Sequence, residues 1–160
     1  LREEFAKLDV EVNEEKSRVV DLVKGESFGF LGFEFRRARS RKGAWQVLYT
    51  PKVKKRTALL RQLKEVFRRF RSQPVGRVVE LINPVLRGWV NYFAGGHASR
   101  CFSFVRQWVE RKIRRHMMRA QKRRGFGWTR WSTVGLYEAL GLFHDYRVRY
   151  GPRLTALPGR

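Results

Sequence analysis

Apolar residues at helical spacing dominate the chain from residue 52 to residue 124. Thr57 can cap a first helix, which the break at Pro74 ends, and Ser99 can cap a long later helix. The first stripe consists of Leu59, Leu60, Leu63, Val66, Phe67 and Phe70. The later stripe consists of Phe102, Val105, Val109, Ile113, Met117 and Ala120. The two stripes and an apolar segment between them predict three helices. These helices would bury their apolar faces against one another in a bundle.

The middle segment begins at Val78–Ile82 and is interrupted or kinked by Asn83-Pro84. Asn83 can cap a new helix with its side-chain oxygen, and Pro84 fits the first turn, where no amide hydrogen is needed. Gly88 costs about 1 kcal/mol against alanine, so we expect a close neighbour at its backbone. We expect Gly95-Gly96 to end the helix through a left-handed cap.

Upstream of residue 52 the apolar pattern changes to a period of two, which is typical of strands. A helix end over 1–8 and short strands at 10–12 and 19–23 come first. Aromatic residues then alternate from Gly25 to Phe35, but the phase breaks beside two glycines, which predicts a bulged strand. A turn at 40–43 and a returning strand complete a basic hairpin. The predicted class is therefore α+β, a small N-terminal hairpin followed by a mainly helical bundle.

The charge is extreme and uneven, with a formal net charge of +22 on 160 residues. The first 35 residues hold nine acidic and five basic residues, whereas residues 36–160 hold five acidic and 31 basic residues. Such a balance predicts a polyanionic partner, and arginine-rich faces favour RNA. No apolar run approaches membrane-spanning length, so we expect no membrane partner. A single cysteine excludes an intramolecular disulfide, and three distant histidines give no zinc spacing.

Two helix faces carry the predicted RNA contacts. They are Arg61, Lys64, Arg68 and Arg71 on the first helix, and Arg111, Lys112, Arg115 and Arg119 on the last. Aromatic residues are interleaved with these charges and can stack on unpaired bases. They are Trp45, Tyr49, Trp108, Trp128, Trp131, Tyr146 and Tyr150. We expect at least half of them to be buried instead.

The run Asn-Pro-x-x-Arg-Gly-Trp-x-Asn-Tyr-Phe at 83–93 resembles the core of the maturase domain of group II intron-encoded reverse transcriptases, domain X or the thumb. The motif residues are Asn83, Pro84, Arg87, Gly88, Trp89, Asn91, Tyr92 and Phe93. Of these, Arg87 and Asn91 are four apart and are expected to fix helix packing or to face RNA.

Residues 13–18 and 28–33 resemble the last blocks of a reverse-transcriptase palm. The resemblance implies that Phe30, Leu31, Gly32 and Phe33 form the primer grip. It also makes Lys16 a candidate proton donor to the leaving pyrophosphate; the alternative is a solvated turn lysine. The family holds Mg²⁺ with a Tyr-Ala-Asp-Asp motif, and no Asp-Asp pair occurs here. We therefore expect no polymerase activity and no cofactor in this chain alone, with Mg²⁺ belonging to the parent polymerase.

The resemblance implies three regions: a palm remnant at 1–51, domain X at 52–124 and a basic extension at 125–160 with its last ten residues disordered. The chain is then a piece of a longer protein or a truncated reading frame in the bacterial cytoplasm. Its expected partner is group II intron RNA, with a DNA target or a template–primer duplex as further ligands. Two alternatives stay open: a polymerase thumb without a splicing role, and an unrelated basic nucleic-acid-binding protein.

Overall fold

A computed structural model describes residues 20–40, 42–125 and 127–149. The strands are β1 (Ser27–Phe30), β2 (Phe33–Arg39) and β3 (Trp45–Pro51). The helices are α1 (Val53–Arg69), α2 (Val75–Phe93), α3 (Ser99–Ala120) and α4 (Thr133–Glu138). This order confirms the α+β prediction. The helix predicted at 1–8, the strand at 10–12 and the last ten residues lie outside the described residues.

The three strands form one antiparallel sheet in the order β1-β2-β3. Leu31 and Gly32, with φ of 45° and 81°, form a two-residue turn between Phe30 and Phe33. Two successive positive φ angles are typical of the type I′ turn, whose twist matches that of a hairpin. The predicted bulged strand is therefore wrong, because the break in phase comes from a tight hairpin turn. The strand predicted at 19–23 is also wrong, since Leu22–Lys24 form a 3₁₀ turn.

Three helices, α1, α2 and α3, pack against one another and bury most of the two predicted stripes up to Met117. Leu60, Val66 and Phe70 of the first stripe are only half-buried. Ala120 is exposed at the end of α3. Thr57 lies inside α1, and Ser99 is the first residue of α3 rather than its cap, so both predicted caps are wrong. The chain passes from β3 into α1 through Lys52 alone, so the helix starts where the strand ends and not at the best capping residue.

Asn83 is not a helix cap, because α2 continues through Pro84. Proline removes one hydrogen bond from a helix, but buried residues on both sides of it, including Ile82 and Leu86, hold this helix in the core. The Asn83 amide binds a distant part of the chain instead. Its Nδ2 donates to the Gly141 carbonyl and its Oδ1 accepts from the Phe143 N–H, both at 2.9 Å.

The two glycines after α2 also differ from expectation. The helix ends at Ala94 in a right-handed conformation, and neither Gly95 nor Gly96 has a positive φ. A Cβ on Gly96 would lie 2.5 Å from the Phe33 ring and 2.9 Å from the Tyr49 carbonyl oxygen. The lack of a side chain at Gly96 therefore allows the sheet to approach the end of α2 closely. In contrast, a Cβ added to Gly88 would meet no described atom within 4 Å outside its own helix backbone, so the expected close contact there is wrong.

Replacing Gly96 by alanine is expected to lower the free energy of unfolding by about 1–3 kcal/mol, because the sheet must move away from the helices. Gly95→Ala is a matched control, since no described atom lies within 4 Å of its added Cβ. Urea unfolding followed by tryptophan fluorescence measures both variants. Equal stability of the two variants would contradict the steric role of Gly96.

The helical core continues beyond residue 124. Leu136, Leu142 and Phe143 are buried in the same cluster as the three long helices. The Arg149 N–H donates to the Ala94 carbonyl at 2.8 Å, which ties the segment to the end of α2. The boundary at 124 stays a prediction, but residues 127–149 pack on the bundle.

Candidate nucleic-acid interface

Two helices, α1 and α3, lie side by side and run in the same direction. Arg56 lies over Phe104 near their starts, and Phe67 contacts Trp108 further along. Their second halves enclose a groove with a cavity volume of about 210 Å³. It is lined by Lys64, Phe67, Arg68, Arg71, Lys112, Arg115, His116 and Arg119. The groove thus brings together six of the eight predicted RNA contacts.

The floor of the groove consists of two buried rings, Phe67 and His116, whose centroids lie 6.4 Å apart. His116 Nε2 lies 2.9 Å from the Gln73 carbonyl oxygen, which fixes the ring. The Lys112 ammonium lies 5.1 Å from the Trp108 ring centroid, within the range of a cation–π contact. Neither Phe67 nor His116 is predicted as a site residue from the sequence. His116 is four residues from Lys112 and three from Arg119, a spacing that could have identified it.

Positive charge is concentrated in the groove. Burial lowers the pKa of Lys112, and the nearby charges of Arg115, Lys64 and Arg119 lower it further. No carboxylate is among the described residues that line the groove. Glu65, one residue beyond Lys64, pairs with Arg68 at 2.6 Å. Like charges held together in a concave site attract an anion, because the anion relieves their mutual repulsion.

Two predicted contacts, Arg61 and Arg111, are exposed but do not line the groove. Arg61 lies one helical turn before Lys64. Arg111 is rotated by about 100° from Lys112 around the axis of α3. Their role in RNA binding stays a prediction.

The predicted primer-grip residues form the tip of the β1–β2 hairpin, which is held by the end of α2. Phe33 stacks on Tyr92 with centroids 6.2 Å apart and meets Phe93 edge-on at 5.0 Å. The Tyr92 hydroxyl donates to the Leu31 carbonyl at 2.8 Å. Phe30 and Leu31 remain 58% and 64% exposed. The structure therefore joins two motifs that the sequence presents 50 residues apart. Lys16 lies outside the described residues.

Residues 56–134 match the family described as Group II intron, maturase-specific domain. The chain therefore carries a group II intron maturase-related region. The match supports a group II intron maturase role, which implies group II intron RNA as the partner in general. The matched domain is maturase-specific and is not a catalytic one. No curated protein matches the chain.

The maturase-related region contains every lining residue of the groove and the whole 83–93 motif. Within that motif, Trp89 contacts Phe93 and Phe102 and belongs to the edge of the core. Arg87 and Asn91 are exposed and form no hydrogen bond or ion pair with another described residue, which differs from the expected packing role. Their side chains are open to a ligand.

Aromatic residues in and beside the maturase-related region are more exposed than expected. None of the six described members of the predicted set is fully buried, and Trp45 and Trp128 are 55% and 51% exposed. The expectation that at least half are buried is therefore wrong. Arginines lie over the two most exposed of these rings. The Arg37 and Arg114 guanidinium carbons lie 4.3 Å from the ring centroids of Trp45 and Trp128.

Among the described residues, no three or more His, Cys, Asp or Glu side chains come together in a group that could hold a metal ion. None of the described helices combines the length and apolar character that a membrane span requires.

Proposed function

We propose that this chain binds the folded RNA of a group II intron in the groove between α1 and α3, and that binding stabilises the splicing-competent fold. One observation carries the proposal. Six basic side chains converge on a groove lined by no described carboxylate, within a region related to maturase-specific domains. Arg61 and Arg111 extend the same interface beyond the groove.

The mechanism follows from the geometry of phosphate recognition. A compact RNA brings phosphates close together, and their repulsion opposes the fold. Arginine forks held by two packed helices can bind phosphates bidentately, and only at the spacing that the helices impose. An RNA fold that presents phosphates at this spacing binds more tightly than an unfolded strand. Binding then shifts the folding equilibrium of the RNA by mass action.

The hairpin tip favours a second candidate function, the clamping of a template–primer duplex. Phe30 and Leu31 are exposed beside Tyr92, where apolar side chains can contact the sugars and bases of a primer end. Under this proposal residues 1–51 are the end of a palm and 52–124 are the thumb of an RNA-directed DNA polymerase. Lys16 and the Mg²⁺ ions would then serve the parent enzyme, and this chain would be inactive without it.

A competition experiment tests the proposal and separates the two functions. The 160-residue chain is bound to labelled RNA of the intron that flanks its gene, at about 0.15 M salt. Excess transfer RNA or an RNA–DNA template–primer duplex is then added. We expect the intron complex to survive both competitors, because shape recognition adds to the shared attraction of charge.

The other outcomes decide against intron recognition. Release by the template–primer duplex, but not by transfer RNA, would favour the duplex clamp. If transfer RNA instead displaces the labelled intron RNA at the same concentration as unlabelled intron RNA does, the chain binds RNA only non-specifically, through its charge. Filter retention measures every arm with the same protein preparation.

A further inference from the structure

A second cavity, of about 500 Å³, lies at the other end of the α1–α3 pair, where both helices begin. Three arginines from three different elements line it: Arg36 of β2, Arg56 of α1 and Arg100 of α3. No carboxylate is among its described lining residues, and it shares no lining residue with the groove. It is therefore a separate concave site of positive charge.

The three arginines are available to an anion. Arg36 and Arg100 are exposed and form no ion pair with a described acidic residue. Arg56 is half-buried, and its guanidinium carbon lies 4.4 Å from the Phe104 ring centroid, which fixes its position. A guanidinium group carries five N–H donors and loses little freedom when its plane is already held. Three such groups around one cavity suit an oxyanion, and phosphate above all.

Part of the remaining wall is apolar. Leu48, Val53 and the 45% exposed ring of Phe104 face the same cavity. Its volume lies within the range of sites that hold small organic ligands, about 300–1,000 Å³. An arginine cluster beside an aromatic face matches a phosphate joined to a sugar and base better than a bare ion. We propose that this cavity takes one nucleotide of a bound nucleic acid, with its phosphate between Arg36, Arg56 and Arg100.

The cavity and the groove can be occupied by one strand. Arg56 and Arg68 on α1, like Arg100 and Lys112 on α3, are twelve residues apart, which corresponds to about 18 Å along a helix. A nucleic acid in the groove can therefore extend along the two helices to the cavity. The identity of the polyanion rests on the proposed function, whereas the anion site itself does not.

Cys101 reports on the cavity, because it lines the wall and is the only cysteine of the chain. Burial raises the pKa of its thiol, and the nearby Arg56 charge partly offsets this. Alkylation at about pH 8.5 keeps enough thiolate for a measurable rate. The first measurement compares the anionic reagent iodoacetate with the neutral reagent iodoacetamide, in the folded chain and in urea.

We expect the iodoacetate-to-iodoacetamide rate ratio to be about tenfold higher in the folded chain, because the arginines concentrate an anion at the thiol. Arg36→Gln with Arg100→Gln should return the ratio towards the unfolded value. The matched control, Arg69→Gln with Arg111→Gln, removes the same charge from exposed positions outside the cavity and should keep the ratio. Equal ratios in the folded and unfolded chain would overturn the anion site without bearing on RNA binding.

The second measurement adds the nucleic acid. Saturating intron RNA should slow iodoacetamide alkylation of Cys101 about tenfold, whereas inorganic phosphate at the same phosphate concentration should not, because it lacks the multivalent contacts of the strand. If the RNA stays bound while Cys101 reacts as fast as it does without RNA, the nucleotide site is overturned. The proposal for the groove would still stand. Equal protection by inorganic phosphate would reduce the cavity to a bare-ion site and overturn the proposal.

Discussion

Replacing Arg114 by alanine is expected to lower the free energy of unfolding by about 3–5 kcal/mol, because the change removes the buried cation that pairs with the buried Glu110 carboxylate. Arg114 is 1% exposed, and its Nη1 lies 3.4 Å from Glu110 Oε2. Its Nε and Nη2 donate to the Trp131 carbonyl and to Thr133 Oγ1, both at 3.0 Å. The variant should therefore loosen the 127–149 segment as well as α3.

Glu110 has a second partner, the Tyr137 hydroxyl, which donates to its Oε1 at 2.6 Å. Burial raises the pKa of Tyr137, and the hydrogen bond to the charged Glu110 raises it further, so the hydroxyl keeps its proton. Arg111→Ala is the matched control, since this exposed neighbour on α3 should change stability by no more than about 0.5 kcal/mol. Urea unfolding measures both variants.

A double variant distinguishes loss of charge pairing from loss of packing. Glu110→Leu with Arg114→Met removes both charges and keeps the volume, so it should recover much of the stability that Arg114→Ala loses. If the double variant is as unstable as the single one, the hydrogen bonds of Arg114 to Trp131 and Thr133 carry the effect instead of the ion pair.

Neutralising Lys64 and Arg119 together, each to glutamine, is expected to weaken intron RNA binding roughly ten- to thirtyfold at about 0.15 M salt. Both side chains line the groove from opposite helices, and both lie close enough to Lys112 to lower its pKa. Each lost phosphate contact should reduce the slope of log affinity against log salt by about one, so the slope should fall by about two.

The control for this pair removes the same charge from exposed positions outside the groove and outside the predicted contacts. Arg69 of α1 and Arg123, three residues after the end of α3, do not line the groove, so Arg69→Gln with Arg123→Gln should cost less than about threefold in affinity. Circular dichroism checks that all four substitutions leave the helices intact. Equal losses for the two pairs would mean that the overall field of the protein, and not the groove, binds RNA.

The pattern of the sequence predicts the fold class, the three long helices and most of the basic residues that line the groove. Helical spacing sufficed for these, because an apolar stripe must face the core and the charges between must face solvent. Lys64 and Arg68 lie four residues apart, and Lys112, Arg115 and Arg119 lie three or four apart, so each set shares one helix face. Arg71 was predicted on the first helix but lies in the turn after α1 and still lines the groove. The net charge and the motif at 83–93 indicated the class of partner before any contact was known.

Tertiary structure decided which side chains of similar local pattern face inward or outward. Arg114 and Arg115 are neighbours in one basic run, yet only Arg114 is buried, because the 127–149 segment packs over its side of α3. Asn83 has the local signature of a helix cap but binds the backbone at 141 and 143 instead. Local propensity is worth about 1 kcal/mol at such positions, and packing of a distant segment exceeds it.

The cavity around Cys101 illustrates the same limit. Its arginines come from β2, α1 and α3, and they are up to 64 residues apart in the sequence, from Arg36 to Arg100. No spacing rule relates them, since periodicity describes one element at a time. Only the docking of the sheet against the starts of two helices, through the close approach at Gly96, brings these charges together. The sequence thus predicts a polyanionic partner for this surface, whereas the docking of the sheet and helices sets where the charges lie.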